Sequence, residues 1–134
     1  MLSWVGLCLP LPAQAWGLEG HRLTGHMAEA LLAPRARLQV RRLLEGGSLA
    51  QAATVMDEER AELASRLPYA AAWHFDNQPL CKAASYRRYC AGQHCATAQI
   101  ARFEAVLANA RAPLAERRQA LQFVVHMLAD LHQP

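Results

Sequence analysis

PLAERRQALQFVVHMLADLHQP, residues 113–134, reads as one amphipathic helix. Pro113 suits the first turn of a helix, where a missing N–H costs nothing. Leu114, Leu121, Val124, Val125, Leu128 and Leu131 recur at helical spacing as the expected buried side. Into this apolar run are set His126 and Asp130. Four residues apart, they lie one turn apart on the same helical face, so both can reach a single ion. A carboxylate among apolar side chains is costly unless a cation, a metal or strong hydrogen-bond donors meet it. Two readings follow: a satisfied core His–Asp pair, or two ligands of one metal.

The remaining sequence extends the helical pattern. Leu23, Met27, Ala30 and Leu31 mark the apolar face of a helix from Leu18 to Leu32, and Pro34 ends it. PRARLQVRRLLEGG, residues 34–47, predicts a second helix with Leu38, Leu43 and Leu44 inward. Its arginines are read as a solvated face rather than a nucleic-acid stripe. Ser48 is placed to cap a short helix through Thr54, and Asp57 to start another through Leu67, stopped by Pro68. Residues 73–95 read as irregular, and Ala96–Ala110 as helix. No stretch alternates with period two, so the fold class is all-α.

A chain of 134 residues, 53% hydrophobic and 19% charged, holds one domain with a real core and is not a disordered tail. The formal net charge of +3 is compatible with a phosphate-bearing partner without demanding one. Residues 1–15 read as a signal peptide. The stretch is apolar, lacks charge, and ends in Ala13-Gln14-Ala15, the small-x-small pattern that places the cut before Trp16. It departs from the usual pattern in having no basic residue near Met1, and a buried N-terminal segment is the alternative. The run is too short and too broken by proline to span a membrane. Export would put the chain outside the cell or in a periplasm. There Cys90 and Cys95, which enclose a short loop with Gly92, can close as a disulfide, leaving Cys81 an odd thiol.

Other metal-ligand candidates lie upstream: His21 in WGLEGH, Asp57 in TVMDEER and His74 in WHFDN. Each has a structural reading of its own: a surface histidine, an N-cap and a packed ring. Trp16 adds another candidate. Cleavage after Ala15 would free its α-amine, with a pKa of about 8, which a metal can deprotonate near neutral pH. Its carbonyl oxygen could then close a chelate.

Taken together, WGLEGHRLTGHMAEALL (16–32), ATVMDEERAE (53–62), WHFDN (73–77) and HMLADLHQP (126–134) resemble, in order and separation, the zinc-dependent single-strand-specific nucleases and 3′-nucleotidases of the S1/P1 type. The resemblance covers residues 16–134 and implies a mostly helical fold, shared in kind with zinc phospholipases C, that holds three zinc ions. It implies Asp57, His74, His126 and Asp130 as ligands of one zinc. Trp16 and His21 would hold a second, with Asp130 as the shared carboxylate. It further implies Arg60 as the arginine that steadies the phosphate and Asp130 as the bridging catalytic carboxylate. Phe75 would stack a base and Asn77 would contact the base edge. Cys90–Cys95 matches a family disulfide, and Cys81 a cysteine paired near the family's C-terminus. His132 matches no ligand.

In that family the last phrase continues as Gln-Pro-Leu-His, and the added histidine opens the third zinc site. The resemblance therefore implies the N-terminal half of such an enzyme, truncated at its C-terminus. At most two zinc sites would be completed here, with little hydrolysis from the chain alone. The expected substrates are single-stranded DNA and RNA and 3′-nucleotides, without stable membrane association. A zinc phospholipase C and a non-catalytic helical module are the competing readings.

Overall fold

A computed structural model describes residues 16–78, 81 and 90–133. The expected leader with Cys8 and the terminal Pro134 lie outside the described residues. Among those described, the chain is helical and contains no strand. The α-helices are α1 (Leu18–Leu31), α2 (Pro34–Leu43), α3 (Leu49–Ala52), α4 (Val55–Glu58), α5 (Arg60–Arg66), α6 (Ala96–Ala108) and α7 (Leu114–Leu131). Two 3₁₀ turns, Ala70–His74 and Ala91–Gln93, punctuate the segment between α5 and α6.

Local chemistry sets these boundaries. Pro34 starts α2 and Pro113 is the N-cap of α7. Ser48 caps α3 through a reciprocal capping box with Gln51, in which each side chain takes up the other residue's backbone N–H. Asp57 is not an N-cap: the single helix expected from Asp57 to Leu67 is instead two short helices broken at Glu59, with Asp57 inside α4. The predicted helix ending at Ala110 stops at Ala108.

The helices α6 and α7, joined by the short turn at 109–113, pack against each other and carry most of the core. Trp73, Phe103 and Phe123 meet edge to face within it, alongside Met56, Leu63, Ile100 and Met127. A smaller cluster of Leu43, Leu49 and Leu121 ties α2 and α3 to α7. The buried face of α7 differs from the one predicted. Ala120, Leu121, Phe123, Val124, His126, Met127 and Ala129 are inside, while Leu114, Leu128 and Leu131 are exposed. Phe123 and Met127 turn toward the aromatic cluster, and His126 toward α3, so α7 is covered on two sides rather than one.

Helix α1 departs further from the sequence reading. Leu23, Met27 and Leu31 are exposed, and His21 and Gly25 are the residues buried. The cause is close approach. A Cβ on Gly25 would lie 2.5 Å from the Leu49 carbonyl oxygen and 2.8 Å from Ala50 Cα, both backbone atoms of α3. Only glycine lets the two helices come this near. Gly25→Ala gains up to about 1 kcal/mol in helix propensity but overpacks the contact at a cost of about 1–3 kcal/mol. The expected result is a net loss of stability in urea or thermal unfolding, and an unchanged or raised midpoint would refute this account of the α1–α3 contact.

Candidate metal centre

Four separate elements bring their polar side chains to one point. His21 comes from α1, Asp57 from α4, His74 from the end of the 3₁₀ turn, and His126 and Asp130 from α7. The ligand-capable atoms of His21, His126 and Asp130 all lie within 4.8 Å of one another, as do those of Asp57, His74 and His126. All three histidines are buried.

The tautomer of His126 follows from its surroundings. Its Nδ1 is 2.7 Å from the Ala53 carbonyl oxygen, which can only accept, so Nδ1 carries the hydrogen. The neutral ring therefore turns its Nε2 lone pair into the cluster, as metal-ligating imidazoles do when a carbonyl holds the other nitrogen. Ala53 was not legible as a site residue. Its contribution is a backbone carbonyl, present at every position and made specific only by the fold. His74 Nδ1 then lies between two acceptors, His126 Nε2 at 3.0 Å and Asp130 Oδ2 at 2.8 Å.

Asp130 faces both sides of the cluster. Its Oδ1 is 3.3 Å from His21 Nε2, while its Oδ2 meets His74 and also lies 3.2 Å from His126 Nε2. Burial alone would raise this carboxyl, but the rings of His126, which donates its Nε2–H only when protonated, of His21 and of His74 outweigh it and hold the group well below the usual carboxylate range. The two compact ligand groups overlap in His126, yet His126 has one nitrogen to offer. A carboxylate with an oxygen on each side is the better shared ligand.

Asp57 is partly buried. Its Oδ2 is 3.7 Å from His21 Nε2, and its Oδ1 is held by Arg60 Nη2 at 2.6 Å. Arg60 itself is 64% exposed, so the rest of its guanidinium is open to a ligand. Phe75 is exposed, its ring centroid 6.0 Å from that of His74. Asn77 and Trp16 are less closely tied to the cluster. Asn77 is exposed, and the Trp16 ring lies over Gly20, where an added Cβ would come within 2.4 Å of it. Among the described residues, no hydrogen bond or ion pair joins either of them to the five clustered side chains. His132 is exposed and bonds back to the Leu128 carbonyl, clear of the cluster. Cys90 and Cys95 form a disulfide, and Cys81 is an exposed free thiol.

The donor set fits a zinc-type ion. Imidazole nitrogen and carboxylate oxygen at this density are its usual ligands. His21 presents its Nε2 to the cluster, 3.3 Å from Asp130 Oδ1. His21 Nδ1 is buried without a hydrogen-bond partner among the described residues.

Comparison with known proteins shows the family. The S1/P1 Nuclease family model matches residues 16–134. Nuclease P1 of Penicillium citrinum is 29% identical over 126 residues, covering 89% of this chain and 46% of that protein. Nuclease S1 of Aspergillus oryzae is 28% identical over 140 residues, covering 99% of this chain and 48% of its own length. The chain thus spans about half the length of the curated relatives it matches. The match starts at Trp16 and takes in all five converging side chains. The chain belongs to the S1/P1 nuclease family.

Proposed function

We propose that this chain carries the metal centre of a zinc-dependent nuclease acting on single-stranded DNA and RNA and on 3′-nucleotides. The observation that carries the reading is the convergence of His21, Asp57, His74, His126 and Asp130, with the His126 lone pair turned inward by Ala53. Asp57, His74, His126 and Asp130 would hold one zinc. His21 and the Trp16 amine and carbonyl would hold a second, with Asp130 between the two. Zinc, when bound, supplies Lewis-acid stabilisation of a phosphoryl oxygen and brings the pKa of water towards 7.

The chain's own residues do the rest. Arg60, anchored on Asp57, presents its free N–H groups to the phosphoryl oxygens on which charge develops. Phe75 offers a solvent-facing ring beside His74, on which a base can lie only after leaving its stack; this favours single strands. Asn77, two residues on, would meet the base edge. The N-terminal chemistry ties the centre to export, because an uncleaved chain has an amide nitrogen at Trp16, a poor ligand. We assign residues 1–15 as the leader and the compartment as extracellular or periplasmic, in keeping with the Cys90–Cys95 disulfide. Among the described residues, no helix is long and apolar enough to cross a membrane.

Elemental analysis of exported chain, with Trp16 confirmed as the first residue, tests the proposal. About two zinc ions per chain are expected. The uncleaved chain should hold about one fewer, because the amine ligand is missing. A folded, processed chain without zinc would overturn the reading.

A further inference from the structure

Half of the chain's basic residues lie on α2 and around the start of α7. Arg35, Arg37, Arg41 and Arg42 lie on α2, which contains no acidic residue. Arg111, Arg117 and Arg118 lie on the α6–α7 turn and the first turns of α7, which pack beside α2. These are seven of the chain's fourteen basic residues, against two of its eleven acids, Glu45 and Glu116. They do not share one surface: Arg42 and Arg117 line one concavity, while Arg37 and Arg41 line another with Leu32 and Leu38. Glu45 is already paired with Arg118. Among the described residues, no carboxylate lies within ion-pair distance of the other six arginines.

Between the two helices runs a concave groove of about 480 Å³, within the range of ligand-sized clefts, about 300–1,000 Å³. Leu43 and Leu114 contribute apolar surface, and Arg42, Gln39 and Arg117 contribute the polar lining. Arg117 is held by its Nε–H, which donates to the Leu107 carbonyl at 3.1 Å, and its terminal nitrogens remain available. Arg42 is exposed.

We propose that this groove is an accessory site for the phosphodiester backbone of a substrate strand, an anchor separate from the metal centre. The proposal rests on the nuclease reading for the identity of the strand, and on the groove's own charge and shape for the site. Arg42 and Arg117, which line the groove without acidic partners, favour a polyanion. A concave, apolar-lined groove suits a strand better than it suits a lipid surface, for which a convex amphipathic face is needed. No aromatic side chain lines the groove, so phosphate charge rather than base stacking carries the affinity, and base composition should matter little. Arg117 and Asp130 are 13 residues apart on α7, about 20 Å along the axis. That is roughly six stacked nucleotides at 3.4 Å each. Arg117 and His126, nine residues apart, leave α7 on opposite sides, so the surface path is longer still. Short substrates would use the metal centre alone.

The test uses the full chain, stripped of zinc by a chelator so that nothing is cleaved. It measures binding of a labelled single-stranded DNA of about 12 nucleotides, twice the span above, by fluorescence anisotropy over a salt series. Arg42→Gln combined with Arg117→Gln should lower the slope of log K against log salt by about 1.4, at about 0.7 per lost phosphate contact on a single strand. Because Arg117 also supports the Leu107 carbonyl, Arg42→Gln alone is the second variant, with an expected drop of about 0.7. Arg22→Gln combined with Arg66→Gln removes the same charge elsewhere and should leave the slope unchanged. An unchanged slope in the groove variants, an equal fall in the control, or no strand binding by the wild type overturns the proposal. So does retention on anionic phospholipid vesicles in place of the oligonucleotide. Zinc content, measured in parallel, should be the same in wild type and groove variants. It reports on the metal centre and the salt slope on the groove, so the two readings fail separately.

Discussion

Asp130→Ala is expected to empty the metal centre, with zinc falling from about two ions per chain to none under conditions that load the wild type. Both carboxylate oxygens are engaged, Oδ1 toward His21 and Oδ2 toward His74 and His126. No other ligand in the cluster can serve both sides. His126 has spent one nitrogen on Ala53, and Asp57 has one oxygen on Arg60. Removing groups that merely orient a metal ligand typically costs 10–100-fold in affinity. Loss of the bridging ligand itself should exceed about 100-fold at both positions. Asp130→Asn separates charge from shape: it keeps an acceptor oxygen and nearly the same volume, and should lose zinc almost as fully. The carboxyl is held below its ordinary range, so it is already ionised and metal uptake releases no proton from it. The sign of the linkage follows. Its contribution to the stability of the metal-free chain is present above the unfolded carboxylate pKa, about 3.9, and is lost as pH falls below that towards the folded value. Asp130→Asn should flatten that acid limb. Zinc content unchanged in both variants would remove Asp130 from the site.

The position of this carboxylate was legible because the sequence exposes a conflict: an acid and a histidine one turn apart in a stretch, residues 123–131, otherwise built of Phe, Val, Met, Leu and Ala. The direction of α1 was not. Apolar spacing selected Leu23, Met27 and Leu31, yet the helix turns His21 and Gly25 inward. Hydrophobic periodicity ranks faces by transfer free energy. It does not register a backbone that needs room, as α3 does at Gly25, or a polar ring that is buried to reach a carboxylate on another helix. The same limit applies on α7, where Leu114, Leu128 and Leu131 fit the period but lie off the two packed sides. Asp57 was placed as a candidate ligand but also as an N-cap, because a short acidic residue before a helical run supports either role. The break at Glu59 depends on tertiary packing that spacing does not record. The helical class, the Ser48 cap and the start of α7 at Pro113 were legible because each depends on residues within a turn of one another.

Phe123→Ala is the core substitution with the largest expected effect, because Phe123 supports both the fold and the metal centre. Its ring is fully buried and lies 5.0 Å from Phe103 and 6.2 Å from Trp73, centroid to centroid, in edge-to-face contacts. Emptying such a site costs about 3–5 kcal/mol, against a total stability of about 5–15 kcal/mol for a domain. The midpoint of thermal unfolding of the metal-free chain should fall by about 10–20 °C. Two of these rings are close in sequence to candidate ligands. Trp73 precedes His74, and Phe123 lies three residues before His126 on the same helix. A cavity behind them should loosen both imidazoles, so the variant should bind zinc more weakly as well as fold less stably. Zinc titration separates the two effects. A ligand that binds only the folded state stabilises it by RT ln(1 + [L]/Kd), about 2.7 kcal/mol at a concentration of 100 Kd. Wild type and Phe123→Ala should therefore both gain stability from zinc, the variant by less at equal concentration, and Asp130→Ala should gain almost nothing. If Phe123→Ala lost stability but gained as much from zinc as the wild type, the aromatic cluster would be a core that merely neighbours the site. A smaller gain would mean that the packing of Trp73 and Phe123 sets the spacing of His74 and His126, and with it the affinity for the ion.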